Sequence, residues 1–279
     1  MSDETFDTLG HQKKFNYALR ADMSKEDFVQ EVITGLVDPP QYFPKNAMMN
    51  KMGYESIDEV FERGLVALEL DDFINVANQN NALIIDTRPK EVFPKGFIPG
   101  SIYIGIDESF APWVGALVPD LNQPIVFIAE QGYEEEVVTR LARVGYDNAL
   151  GYLKGGFETW KNAGKDIDTI EEVDSAICKD IKSKKDCTIL DVRKESEFEE
   201  EHVMGATNFP LDFLNKSIAT LDRDKKYYVH CKGGYRSLIA VSILKSRGFN
   251  NMVNIVGGFE AIKETGIELS EFKEQVTAL

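Results

Sequence analysis

The sequence predicts an α/β fold built twice: two tandem domains, each a central, mainly parallel sheet with helices on both faces. A helical and irregular arm precedes them. Three observations predict it. A repeat runs through the chain at a spacing of about 100 residues, as an internal duplication does. Short apolar runs bounded by turn residues read as buried parallel strands. Between them lie stretches with apolar residues at helical spacing, each followed by a Gly that reads as a helix stop.

The repeat is explicit. LIIDTRPKEVFPKGFIPGS (83–101) matches ILDVRKESEFEEEHVMGA, which starts at Ile189. Asp86 to Gly100 is 14 steps, as is Asp191 to Gly205. Arg88 matches Arg193, and Phe93 matches Phe198. GGFETW (155–160) matches GGFEAI (257–262), and ARVGYDN (142–148) matches KSRGFNN (245–251). These matches set domains at 66–170 and 171–279, with an arm over 1–65. The runs ALIID, PIVFIA, TILDV and KYYVHC are the strands, and EEEVVTRLARVG and RSLIAVSILKSRG the amphipathic helices. In such sheets the functional crevice lies at the carboxyl ends of the strands.

The arm does not repeat. Ser24 with Asp27 reads as a cap for a short helix ending at Gly35, and Ser56 with Glu59 as a capping box. Between them Pro39, Pro40 and Pro44 argue against regular helix. The arm therefore reads as ordered chain without a core of its own.

Composition narrows the function classes. With 43% hydrophobic residues the chain can bury sizeable cores. The formal charge of -16 disfavours a nucleic-acid or anionic-membrane binder, since both need positive surface. No apolar run approaches a membrane span, and the acidic start MSDETFDTLG is not that of a secretory signal. Three cysteines make no disulfide framework and suggest a reducing cytoplasm. His11, His202 and His230 are too dispersed for a His-based metal site. Residues 1–170 carry net -13 and residues 171–279 net -3, so the second part is the better place for anionic chemistry.

The segment YYVHCKGGYRSLIAVSILKSRG (227–248) carries that chemistry. A strand ends at Cys231, and Cys-Lys-Gly-Gly-Tyr-Arg leads straight into a helix. Gly233 and Gly234 let the loop curl its N–H groups inward as an anion nest, to which the helix N-terminus adds partial positive charge. Lys232 and Arg236 add full charges. A thiol at the centre is expected to react as thiolate. Cys178 and Cys187 lack such a setting and read as structural.

Taken together, the tandem D-x-R motifs, the G-A or G-S turns, the Cys-x4-Arg loop before a helix and G-G-F resemble rhodanese domains, over about 66–279. The resemblance implies a sulfurtransferase whose loop Cys takes sulfane sulfur from thiosulfate or a persulfide such as glutathione persulfide. The sulfur then passes to a thiol, sulfite or cyanide. By position Cys231 is the sulfur carrier, and Lys232, Gly233, Gly234, Tyr235 and Arg236 form its cradle. No bound organic cofactor or metal is implied. Phosphatases and arsenate reductases of this fold type carry one more residue between Cys and Arg, so they are the less favoured alternative.

The first copy departs from the pattern. Ala129 stands opposite Cys231, Glu130 opposite Lys232, Gln131 opposite Gly233 and Glu134 opposite Arg236. It reads as a non-catalytic, structural or docking domain, which leaves a docking scaffold as a non-enzymatic alternative. Since this copy keeps Asp86 and Arg88, their counterparts Asp191 and Arg193 read as a supporting brace rather than reacting groups. His230, by strand alternation, should pack away from the thiol. His202 reads as a hydrogen-bonding loop residue, Glu199-Glu200-Glu201 as a solvated face, and Trp113 and Trp160 as core or rim aromatics. Tyr235 and Phe213 are candidates to line the pocket.

TLGHQKKFNYAL followed by GLVDPPQYFPKNAMMN resembles the C-terminal tail of metallo-β-lactamase-fold persulfide dioxygenases, over about residues 1–55. That fold needs an H-x-H-x-D-H cluster, which this sequence lacks, so the resemblance implies a dioxygenase partner domain rather than a dioxygenase site. Met48, Met49 and Met52 mark a candidate surface for homo-oligomer formation.

Overall fold

The computed structural model describes residues 6–19, 22–34, 39, 42–181 and 187–273. The chain divides into two compact units, Met1–Pro40 and Gln41–Leu279. In the first, helices span Leu9–Phe15 and Lys25–Ile33. Ser24 Oγ accepts the Asp27 N–H at 3.1 Å, as the capping signal indicates. The anticipated stop, Gly35, lies outside the described residues, and Thr34 is the C-cap. Neither helix contains a buried residue.

The arm read as 1–65 is divided between the two units. In the second unit a helix does form, over Phe43–Met52, with Pro44 in its first turn. That corrects the reading of the three prolines: first-turn N–H groups have no intrahelical partner, so Pro is tolerated there. Pro40 lies outside the described residues. The Ser56 capping box is formed and starts the helix Ile57–Gly64. Val60 of that helix joins the core of the first sheet domain. Gly64 leaves room for close packing, since a Cβ there would stand 2.9 Å from Val138 Cγ1.

The first sheet contains β1 (Ala67–Leu68), β2 (Leu83–Asp86), β3 (Ile102–Tyr103), β4 (Ile125–Ile128) and β5 (Ala149–Leu153). The second contains β6 (Glu171–Val173), β7 (Cys187–Asp191), β8 (Thr207–Asn208), β9 (Lys226–His230) and β10 (Met252–Ile255). Their orders, β1-β5-β4-β2-β3 and β6-β10-β9-β7-β8, are the same arrangement twice. All strand pairs within them are parallel.

Both faces of the central strands are covered, which explains a strand such as β4 being apolar at every position. Ile125 and Phe127 face one core, while Val126 and Ile128 face another with Phe73 and Phe157. In the second sheet Leu190 and Val229 face the first core, and Ile189 and Tyr228 a third. One core therefore runs through both domains.

That shared core corrects one expectation. The helix after the Cys231 loop, Tyr235–Ser246, is not amphipathic: Ser237 to Leu244 are all buried. A helix apolar on every side must be covered on every side. Here the first domain supplies the second cover, and the β3 residue Tyr103 donates its N–H to Ser242 Oγ at 2.8 Å. Among the described residues no helix is long and apolar enough to cross a membrane.

Candidate active site

Cys231 follows β9, the central strand of the second sheet, and so stands at the crevice end of that sheet. Its residue is 1% exposed, and Sγ accepts the Gly234 N–H at 3.1 Å. Gly234 takes φ +103°, a conformation that favours glycine, and caps the helix starting at Tyr235. Gly233 does not adopt positive φ, so only one of the paired glycines needs that freedom. The space around Gly233 is open: a Cβ added there would meet nothing within 4 Å.

The loop is gripped from behind. The Phe259 N–H donates to Cys231 O at 2.7 Å and the Glu260 N–H to Lys232 O at 3.2 Å. These donors sit in the first turn of the helix Gly258–Glu264, whose own N–H groups lack intrahelical partners. The G-G-F repeat is thus part of the site. Its sequence signal is plain, but nothing in it locates the contact.

Asp191 and Arg193 form a buried fork. Arg193 Nε lies 2.9 Å from Asp191 Oδ1, and its terminal nitrogen lies 2.5 Å from Oδ2. The same nitrogen donates to Glu201 O at 2.8 Å, and the guanidinium stacks 3.8 Å from the Phe259 ring centre. Arg88 repeats this with Asp86, Gly96 O and Phe157. Both braces tie a strand end to the loop that follows and to the G-G-F helix. Burial raises the Asp86 carboxyl above its usual range, against the pull of Arg88.

His230 is fully buried behind the loop. Its Nδ1 lies 3.2 Å from Cys231 O, and Nε2 lacks a hydrogen-bond partner, 3.8 Å from Asp191 Oδ2. Burial depresses its pKa below the ordinary 6.5, more than the Asp191 charge restores it. The unfolded chain therefore binds the proton more readily. His230 contributes stability that is present above pH about 6.5 and is lost as pH falls toward the depressed folded value. Urea midpoints at pH 7.5 and 5.5 should fall more for wild type than for His230→Asn.

The thiol opens onto a cleft of about 520 Å³. One wall comes from its own loop and from Glu260. The other comes from the first domain: Lys90, Glu108, Ser109 and Trp113. Sequence reasoning missed Lys90, Glu108 and Ser109 and placed Trp113 only as a core or rim aromatic, because the motif that finds the loop is confined to one domain.

Several expected cradle residues have other partners. Arg236 reaches Glu197 with both ends of its guanidinium, at 2.5 and 2.9 Å. Burial would lower the Arg236 pKa, but Glu197 raises it on balance, and Arg236 in turn draws Glu197 below the usual carboxylate range. Its charge is thus matched and not a lone full charge in the cradle. Lys232 stands at the rim, with a side chain 65% exposed and Nζ 3.8 Å from Glu260. Tyr235 borders the cleft, but its hydroxyl donates to Gly105 O of the first domain at 2.9 Å, so it ties the domains together. Phe213 does not line the cleft; it is exposed, its ring 5.6 Å from Lys216 Nζ.

The remaining residues have structural settings. Cys178 is buried, and its thiol is pushed up to about 11 by burial. Cys187 opens β7. His202 Nδ1 lies 2.6 Å from Phe198 O, and the two rings stack. Glu199 is exposed, but Glu200 and Glu201 are only partly so, and Lys263 holds Glu201 at 2.5 Å. Trp113 is a rim residue of the cleft, and Trp160 donates to Asp166 O at 2.8 Å.

The first domain keeps the loop shape without the thiol. Ala129 follows β4, Gly132 takes φ +93°, and a helix starts at Glu134. Glu134 Oε2 accepts the Gly132 N–H at 2.7 Å, so a carboxylate occupies a loop donor that an anion would need. Glu130, Glu134 and Glu158 line a cavity of about 630 Å³ there.

Comparison with known proteins agrees with this duplicated geometry. The rhodanese-like domain family matches residues 69–163 and 174–265. The chain is 32% identical over 106 residues to the putative sulfur carrier protein YrkF of Bacillus subtilis, covering 38% of this chain and 55% of that protein. It is 32% identical over 80 residues to the thiosulfate sulfurtransferase GlpE of Coxiella burnetii, covering 29% of this chain and 75% of that protein. A rhodanese-related protein of Thermoplasma volcanium is 33% identical in sequence at a TM-score of 0.33, covering 36% of this chain and 97% of that one. The chain spans just over half the length of the first curated relatives, YrkF and YqhL. Because the family model matches over most of its length, in two stretches, the chain belongs to the rhodanese-like domain family and carries two such domains in tandem.

Proposed function

We propose that the chain is a sulfurtransferase with one active domain, in which Cys231 carries sulfane sulfur as a persulfide. One observation carries the reading. The Cys231 thiol sits at a strand end, accepts a loop N–H at 3.1 Å and faces an open cleft, whereas the matching loop of the first domain has Ala129. Similarity to a thiosulfate sulfurtransferase supports the reaction class.

In the first half-reaction the Cys231 thiolate attacks the outer sulfur of thiosulfate. A new S–S bond forms, the S–S bond of thiosulfate breaks, and its electron pair leaves with sulfite. With glutathione persulfide the leaving group is the glutathione thiolate. The Gly234 N–H and the helix start stabilise the persulfide anion. In the second half-reaction a thiol, sulfite or cyanide takes the outer sulfur and returns Cys231 to the thiolate. Because the enzyme is covalently modified between the two steps, kinetics should be ping-pong. Initial rates with thiosulfate and cyanide varied together should give parallel double-reciprocal lines; intersecting lines would exclude a free persulfide intermediate.

The physiological setting is part of the same proposal. Three free thiols among the described residues favour a reducing cytoplasm. The resemblance of residues 1–55 to a persulfide dioxygenase tail supports exchange of sulfur with a dioxygenase domain. Met48 and Met52 are exposed, which leaves an apolar surface for self-association.

A further inference from the structure

We propose that Lys90, on the domain that has no thiol, is the cation that grips the anionic leaving end of the sulfur donor at Cys231. Lys90 would then set the affinity for thiosulfate. This inference rests on the sulfurtransferase reading and names a residue that sets its donor specificity.

Among the described residues three cations border the cleft, and each faces a carboxylate. Arg236 is committed at both ends of its guanidinium to Glu197, whose side chain is only 28% exposed. Moving it would strand a partly buried carboxylate. Lys232 lies at the outer rim, where water screens it. Lys90 differs from both. It stands on the wall opposite the loop, its side chain is 37% exposed, and a single contact of 3.0 Å joins it to Glu108. Glu108 is itself 42% exposed and is free to turn to water when a donor anion takes its place.

The electrostatic setting agrees. The Glu108 hydrogen bond holds the Lys90 ammonium above its ordinary pKa, against a smaller opposing effect of burial, and the charges of Glu108, Glu91 and Cys231 add to it. Lys90 and Cys231 line the same cleft, so a donor lying between them has its sulfane sulfur toward Cys231 and its anionic end toward Lys90.

The backbone explains how a domain without a nucleophile keeps this residue in place. Lys90 is two residues past Arg88, whose fork binds Asp86 and Gly96 O. The first domain keeps that brace although its own loop has lost the thiol. Retaining it fixes the strand end that presents Lys90. Across the interface, Tyr235 of the active loop donates to Gly105 O, three residues before Glu108, so the two walls are tied together.

The test compares initial rates with thiosulfate as donor and cyanide as acceptor. The variants are Lys90→Gln, Lys90→Arg and Glu108→Gln. The sulfonate end is anionic in the bound donor and gains the electron pair of the S–S bond as it leaves with sulfite, so losing its partner weakens binding and slows donation, and in a ping-pong scheme both appear in kcat/KM for thiosulfate. Lys90→Gln should lower kcat/KM for thiosulfate about tenfold, with a raised KM, as loss of one charge-assisted hydrogen bond does. Lys90→Arg should recover most of that loss. Glu108→Gln should lower the KM, because it removes the competing anion. A merely structural ion pair would instead make Lys90→Gln and Glu108→Gln change in the same direction. That result, or an unchanged KM in Lys90→Gln, overturns the role of Lys90 while the wild type still turns over. A wild-type chain that takes no sulfur from thiosulfate removes the sulfurtransferase reading itself, and this role with it.

Discussion

Cys231→Ser is expected to end sulfur transfer from thiosulfate to cyanide while leaving the fold in place. The loss should be on the order of a thousandfold or more, as when an enzyme loses its covalent nucleophile. A serine oxygen has no route to a persulfide, and no other thiol reaches the cleft among the described residues. Cys178 is buried elsewhere and its thiol is pushed up to about 11, and Cys187 begins β7, remote in sequence from the loop. The fold should tolerate the change because the hydrogen bond that Sγ accepts from the Gly234 N–H is one a serine oxygen also accepts. The stability change should stay within about 1 kcal/mol. Cyanide-trapped thiocyanate and a urea midpoint measured on the same preparation separate the two effects. Full turnover in the variant would transfer the chemistry to another group.

Gly258→Ala is expected to be the most destabilising single methyl in the second domain. The added Cβ would stand 2.5 Å from both Cys231 O and Lys232 O, and these are backbone atoms that cannot rotate away. Gly258 also takes φ +60°, which costs an L-residue about 1–2 kcal/mol before any clash. Displacing the loop further weakens the Phe259 N–H bond to Cys231 O. The sum should be about 3–5 kcal/mol, the range of a severe backbone effect. Gly156 is the internal control. It is the matching glycine of the first domain at φ +62°, but its Cβ would lie 3.1 Å from Ala129 O. Gly156→Ala should therefore cost about 1–2 kcal/mol, and it should spare sulfur loading. Chemical denaturation of both variants checks the difference. Equal costs would mean that the loop carbonyls do not set the constraint.

Much of this is legible in the sequence, and the rest is not for identifiable reasons. Duplication, parallel strands and the Cys231 loop are local patterns, and they specify both sheets and the loop-to-helix junction. The capping signals at Ser24 and Ser56 are local too, and both capping bonds form. What local patterns miss is the second partner of a side chain. Arg236 reads as a free cation until Glu197, 39 positions earlier, is seen against it. The helix Tyr235–Ser246 reads as amphipathic until β3 of the other domain covers its far side. Tyr235 reads only as a pocket residue until its hydroxyl is also found on Gly105 O of the other domain. Lys90, Glu108 and Trp113 carry no motif, and only the packing of the two domains brings them to the thiol. Pro44 shows the opposite error, a local rule applied one turn too far, since a first-turn proline starts a helix as readily as another breaks one.

The measurement that tests the central claim most directly is intact mass after brief exposure to thiosulfate or glutathione persulfide, with Cys231→Ser alongside. The predicted result is a gain of one sulfur, roughly 32 Da, on the wild type alone, removed by cyanide, as expected for an activated carrier thiol. An unchanged wild-type mass with both donors, or an equal gain on Cys231→Ser, would contradict it.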